Sequence, residues 1–221
     1  MQPSRPRGKK KYASLLSVKE VDMRYPMILR LHASGVPIDW LTLEEATLLM
    51  TRQEEGAVVW TDGDNRYRLH GGTNSLTGCR SYVDIPEVIG VAPPAGAFLA
   101  FEHTGFNRVL CKYREGLRCA YCGCGLSRQA LTIDHIYPRS RGGALTMLNA
   151  VAACHGCNAL KADMTPEEAG MALLLKPFIP TMAEVLYMTR PSTMTSRQLW
   201  YLKHQFRNAR LRDYLSDALV A

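Results

Sequence analysis

Two short cysteine pairs, an Asp-His dipeptide and two asparagines lie within residues 119–158, and their types and spacing suit a metal-dependent hydrolase. Cys119/Cys122 and Cys154/Cys157 are both C-x-x-C turns. Each such turn aims two thiolates at one point, and a structural Zn2+ takes four ligands in a tetrahedron. The stretch between the pairs, residues 123–153, exceeds the roughly 15–20 residues of an ordinary zinc ribbon. A zinc ion there closes a loop large enough to carry Asp134, His135 and Asn149. Cys124 and His155 are rival ligands beside the pairs, but neither completes a further C-x-x-C.

Those side chains fit phosphodiester hydrolysis. Histidine takes a proton from water near neutral pH, which makes His135 a candidate general base. Asp134 and Asn158 offer hard oxygen atoms of the kind Mg2+ or Mn2+ accepts, and such an ion stabilises charge on a phosphate and its departing oxygen. Asn149 is placed to hold the loop or the imidazole, and Arg139, Arg141 and Lys161 to meet a phosphate backbone. Taken singly, Asp134-His135 is ordinary polar surface and Asn149 a turn residue. The combination at this spacing carries the expectation.

Positioning them requires a strand, a partner and a helix. Leu131–Ile133 reads as a strand leading into Asp134-His135, Ala150–Ala153 as its antiparallel partner, and the chain from Cys157 as a helix with Asn158 and Lys161 on one face. Successive strand residues face opposite ways, so Asp134 and His135 share a site only where the pleat breaks down, an ending that Tyr137-Pro138 supplies.

The surrounding chain predicts an α+β protein: a basic disordered arm at 1–11, an α+β region at 12–116, the zinc-stapled module at 117–176, and basic C-terminal helices at 177–221. Met27–His32 reads as a strand, turned by Gly35-Val36-Pro37. Thr42 and Glu45 form a capping box for a helix with an apolar Ala46, Leu49 and Met50 stripe. Ala57–Thr61 reads as a strand with Arg66–Leu69 as its hairpin partner, and Tyr82–Ile85 as a further strand. Val88–Val91 is ambiguous between strand and short helix. Ala97–Phe101 reads as a strand, and Val109–Tyr113 as a strand or the start of a helix. Thr165, Pro166 and Glu168 signal a helix through Met171–Leu175. A short helix is expected at Met182–Met188, and a long one capped by Thr195 or Ser196 and running to about Leu219.

With 47% hydrophobic residues over 221 positions, the chain can bury a core and is not a disordered protein. Without an N-terminal apolar stretch or a run near 18 apolar residues, neither secretion nor membrane insertion is expected, and the cytoplasm of a bacterial cell or phage-infected host is the expected location. The net charge of +7 is unevenly spread. Residues 1–11 carry five basic groups and no acid, and 186–221 carry six basic against two acidic, which leaves 16 basic against 18 acidic between them. Basic ends on a neutral body suit a polyanion such as double-stranded DNA, with Lys203, Arg207 and Arg210 as contacts; the plainer reading is a solubilising tail and a docked helix with a wet basic face.

The stretch Arg118-Cys-Ala-Tyr-Cys-Gly123, Asp134-His-Ile-x-Pro-Arg139, Ser140-Arg-Gly-Gly143, Asn149 and Ala153-Cys-x-x-Cys-Asn158 with Lys161 resembles the H-N-H endonuclease family (ββα-metal or His-Me finger) in its bacterial and phage form. The Thr165–Met171 segment is similar to that family's usual continuation. The resemblance implies His135 as general base, Asp134 and Asn158 on one catalytic divalent ion, Asn149 as orienting amide, and the four cysteines on structural zinc. It also implies 5′-phosphate and 3′-hydroxyl products. Two positions depart from the family pattern: Asn158 stands where histidine is frequent, and Ala150 where leucine is usual. The alternative function is a zinc-stabilised DNA-binding protein that does not cut.

Overall fold

A computed structural model describes residues 26–51, 58–63, 67–92, 105–189 and 194–209. The expectations for the arm at 1–11, the strand at Ala97–Phe101 and Arg210 lie outside these residues. The architecture is α+β. β1 (Ile28–His32), β2 (Pro37–Leu41), α1 (Leu43–Thr51), β3 (Val58–Asp62), β4 (Tyr67–Thr73), β5 (Arg80–Ile85), β6 (Val88–Val91) and α2 (Arg108–Arg114) precede the central module. The module holds β7 (Thr132–His135), a 3-10 turn (Arg139–Arg141), β8 (Ala150–Ala153) and α3 (His155–Lys161), and α4 (Met182–Thr189) and α5 (Ser196–Lys203) follow it. Among the described residues no helix is long and apolar enough to cross a membrane.

Local signals formed where hydrogen bonds could satisfy them locally. The Thr42 box closes, with the Thr42 backbone donating to Glu45 Oε2 (2.9 Å) and the Glu45 backbone to Thr42 Oγ1 (3.1 Å). Thr195 caps α5 in the same way with Gln198 at the third position. The buried Gln198 amide also donates to the Met27 and Glu87 carbonyls (2.7 and 3.0 Å), which ties α5 to the sheet. α5 ends at Lys203, well short of the expected Leu219.

Strand partners departed from expectation. A four-stranded sheet runs β2-β1-β6-β3, with β1 and β6 parallel and the other pairs antiparallel, and β4 pairs with β5 rather than β3. β6 is the apolar centre of the sheet, buried along its whole length. Trp60 of β3 lies over Gly90 of β6, where a Cβ would stand 2.1 Å from the indole, and its Nε1 donates to the Ala33 carbonyl at 3.0 Å. That close packing goes with the pairing of β3 to β6. Pro37, expected in the turn Gly35-Val36-Pro37, opens edge strand β2, at a first position where no ladder donor is needed. The Arg30 guanidinium of β1 donates to both carboxylate oxygens of Asp39 across that pair.

The helix expected at 165–175 is a single turn. Its capping bonds form between Thr165 and Glu168, but Gly170 turns left-handed (φ 64°). Met171 and Leu173 then pack against the buried Cys119–Tyr121 segment, and the Leu174 backbone donates to the Ala120 carbonyl at 2.8 Å.

One apolar core crosses the expected segment boundaries. Leu29, Leu31 and Val88 of the sheet meet Leu110 of α2, Met147 and Ala150 of the module, Leu186 of α4 and Leu202 of α5. At its centre the buried Arg114 guanidinium donates to Glu115 Oε1 (2.6 Å from Nη2) and to the carbonyls of Ala150 (2.6 Å), Phe178 (3.0 Å) and Met147. Burial pushes the Glu115 carboxyl up to about 7, against the pull of Arg114. Arg114→Met leaves Glu115 and three carbonyls without their cation, and breaking a buried pair costs about 3–5 kcal/mol. The expected result is a lower denaturant midpoint at unchanged slope, partly recovered in Arg114→Met/Glu115→Met. An unchanged midpoint would show that the pair contributes nothing to stability.

Candidate functional site

The hairpin that carries the Asp-His pair is in full register: Thr132, Ile133, Asp134 and His135 oppose Ala153, Ala152, Val151 and Ala150. The ladder extends one bond further, from the Ile136 backbone to the Asn149 carbonyl (2.9 Å). The pleat therefore does not break at Asp134-His135, as the sequence suggested. Ile133, Asp134 and His135 nonetheless border one cleft of about 230 Å³, together with Arg139, Asn158 and Asp163. Three consecutive strand residues can line a single cleft only if it runs along the strand's edge. β7 has such an edge, since among the described residues it pairs with β8 alone.

Asp134 is the floor of the cleft. It is 5% exposed, and each of its oxygens is engaged: Oδ2 by the Tyr121 hydroxyl (2.5 Å) and Oδ1 by Lys161 Nζ (3.1 Å). Burial and this bond to Asp134 push the Tyr121 phenol well above its usual range, so it remains a donor. Lys161 is fully buried. The expectation that it meets a phosphate is corrected here: its ammonium is spent on Asp134, where a buried carboxylate needs a counter-charge. His135 is half-buried, and among the described residues its imidazole has no hydrogen-bond partner.

Asn158 sits in the first turns of α3 with Nδ2 donating to Thr132 Oγ1 (3.0 Å), which leaves its amide oxygen for the cleft. The Asn149 amide is hydrogen-bonded to the loop and not to the imidazole. Its Oδ1 accepts from the Tyr137 backbone (2.8 Å), and its Nδ2 donates to the carbonyls of Tyr137 (3.1 Å) and Ala144 (2.9 Å). It thus clamps both ends of the 137–149 loop. The loop is tight enough to require glycine at Gly143, where a Cβ would lie 1.9 Å from the Tyr137 carbonyl oxygen. Of the basic residues, Arg139 is exposed at the cleft, and Arg141 donates to both Glu168 oxygens at 2.8 Å. Lys203 and Arg207 lie at and just past the end of α5.

The sulfurs of Cys119, Cys122, Cys154 and Cys157 all lie within 4.8 Å of one another, with Cys122 and Cys154 at 3.9 Å. Zinc–sulfur bonds of about 2.3 Å in a tetrahedron put sulfurs about 3.8 Å apart, so this cluster can hold a metal such as zinc. A hydrogen bond from the Cys124 backbone draws the Cys122 thiol down to about 6, while burial pushes Cys157 up, and four sulfurs this close cannot ionise together without a cation among them. Cys124 comes within 3.3 Å of Cys122, but neither it nor the exposed His155 belongs to the four-sulfur group.

Tyr121, Thr132 and Asp163 were not singled out from sequence. Tyr121 had a signal, since it lies inside the first C-x-x-C. The partner of Thr132 and the position of Asp163 depend on how α3 crosses β7, which no local pattern encodes.

Residues 119–174 match the HNH endonuclease family. The CRISPR-associated endonuclease Cas9 of Corynebacterium diphtheriae is 41% identical to this chain over 51 residues, which is 23% of this chain and 5% of that protein. The chain thus spans a small fraction of that relative's length. No solved structure matches. The central module is of the HNH endonuclease family.

Proposed function

We propose that the protein is a metal-dependent endonuclease that hydrolyses phosphodiester bonds of double-stranded DNA, as a nick or a double-strand break, in a bacterial cell or phage-infected host. The observation that carries this reading is one cleft bordered by His135, Asp134, Asn158 and Arg139 inside a module of a nuclease family. The imidazole of His135, with no hydrogen-bond partner among the described residues, accepts a proton from a water that attacks phosphorus; the bond to the 3′ oxygen breaks and that oxygen takes up a proton from solvent, leaving 5′-phosphate and 3′-hydroxyl ends. Arg139 meets the phosphate, and Lys161 and Tyr121 hold the Asp134 carboxylate in place.

The donors fit a divalent ion. Asp134 retains a lone pair on each oxygen beyond the bonds it already accepts, and the Asn158 amide oxygen is unengaged among the described residues. Mg2+ or Mn2+ held there supplies charge stabilisation for the phosphate and the leaving oxygen. The four cysteines hold structural Zn2+. Lys203, Arg207 and Arg210 extend the DNA contact beyond the cleft.

One observation favours the non-cleaving alternative. Asp134 already carries a cation at 3.1 Å, and the other oxygen donor, Asn158, is neutral. Supercoiled plasmid incubated with Mg2+ or Mn2+, with and without chelator, decides between the two. Nicked or linear product that requires the metal is expected; binding without cutting under either metal would make the protein a DNA-binding module.

A further inference from the structure

The chain has three tryptophans, and two of them are tied into the fold. Trp40 Nε1 donates to the Leu186 carbonyl (3.2 Å) and Trp60 Nε1 to the Ala33 carbonyl (3.0 Å). Trp200 is different: it is 54% exposed, and its indole N–H has no acceptor among the described residues. The ring is still held firmly. Tyr201 meets it edge-on at 5.0 Å, and Tyr201 itself stacks on Trp60 and donates to Asp62 (2.8 Å). His204 leans on it at 4.7 Å and is anchored by its Nδ1 to the Trp200 carbonyl (2.6 Å).

Basic residues flank this ring: within α5, Arg197 and Lys203 each stand three residues from Trp200, one on either side, and Arg207 follows past the end of the helix. Residues 194–209 contain no Asp or Glu. Asp62 of β3 accepts from Tyr201 and lies 3.8 Å from Arg197. Past the helix, Glu184 accepts from the Arg207 and Asn208 backbones (2.8 and 2.6 Å), which fixes the segment that presents the exposed Arg207 side chain.

A rigid, open aromatic face among cations binds a π-faced polyanion. We infer that Trp200 is a stacking platform for an unpaired base of a DNA strand whose phosphates lie against Arg197, Lys203 and Arg207. In duplex DNA the base faces are covered by their neighbours, so an unpaired segment is the form that stacks. The inference rests on the nuclease reading for the identity of the polymer, and it adds that the enzyme holds a single-stranded stretch beside the duplex it cuts.

The test uses the full chain in buffer without divalent ions and follows tryptophan fluorescence on titration with a (dT)12 oligonucleotide and with a hairpin-closed duplex. Quenching by (dT)12 is expected in the wild type. It should vanish in Trp200→Leu together with a roughly ten-fold or larger loss of affinity, in line with the worth of one stacked base. Trp200→Phe should retain most of the affinity, which separates lost stacking from lost folding. Equal affinity of Trp200→Leu, or equal quenching by the duplex, would overturn the inference, as would wild-type self-association that Trp200→Leu abolishes while DNA causes no quenching. The two readings fail separately. Plasmid cleavage without (dT)12 quenching sinks the stacking platform alone, and quenching without metal-dependent cleavage sinks the nuclease alone.

Discussion

His135→Ala is expected to remove DNA cleavage while leaving DNA binding at the wild-type level. A positioned general base contributes about 10²–10⁴-fold to the rate, or about 3–5 kcal/mol of barrier. The substitution should cost little else. His135 pairs with Ala150 through backbone alone, and alanine keeps that ladder. Its imidazole makes no hydrogen bond among the described residues, so none is left broken. Binding should persist because Arg139 and the basic residues of the C-terminal segment are untouched. Nicking of supercoiled plasmid and a gel shift on the same DNA check the two halves. If the alanine variant cuts as fast as wild type, the proton goes elsewhere and the role assigned to His135 is wrong.

Cys154→Ser is expected to unfold the module rather than slow it. Structural zinc contributes on the order of 10 kcal/mol or more to the folding of small modules, which is comparable to the whole stability of an ordinary domain, about 5–15 kcal/mol. Serine preserves the helix cap: Cys154 precedes α3 and its sulfur accepts the Cys157 backbone N–H at 3.3 Å, a role a hydroxyl fills well. A collapse in this variant therefore reports the metal. The consequence reaches the cleft by two routes, because α3 carries Asn158 and the first cysteine turn carries Tyr121, the donor to Asp134. Loss of one zinc per chain by atomic absorption and loss of the module's thermal transition are the expected readouts. Cys124→Ser, outside the four-sulfur group, should retain both. Retained zinc and an unchanged transition in Cys154→Ser would mean that the four sulfurs are a cluster of thiols and no metal site.

The two outcomes bear on different parts of the molecule. His135 acts on substrate, so its loss is confined to rate. The cysteines act on the position of everything around them.

What could be read from the sequence was whatever closes over a few residues. C-x-x-C turns, the Thr42–Glu45 box, a helix cap at Thr195 or Ser196, and the strand-strand-helix order of 132–161 each depend on bonds to near neighbours, and each took the expected form. The turn at Thr165 shows the limit of such signals: its cap bonds formed, yet burial of Met171 and Leu173 redirected the chain after one turn. Only the tertiary structure decided which strands pair, and it did so through packing: Trp60 lies on Gly90 and draws β3 to β6, leaving β4 to β5. It likewise buried Lys161 against Asp134, turned Asn149 to the loop instead of the imidazole, and gave Arg114 carbonyl partners as far away as Phe178. The identities of the chemical groups at the cleft follow from spacing because short turns and a two-stranded ladder hold them. Their engagements do not, because a buried charge takes whichever partner the folded chain brings within reach, and that partner stood 27 residues from Asp134 and 64 from Arg114.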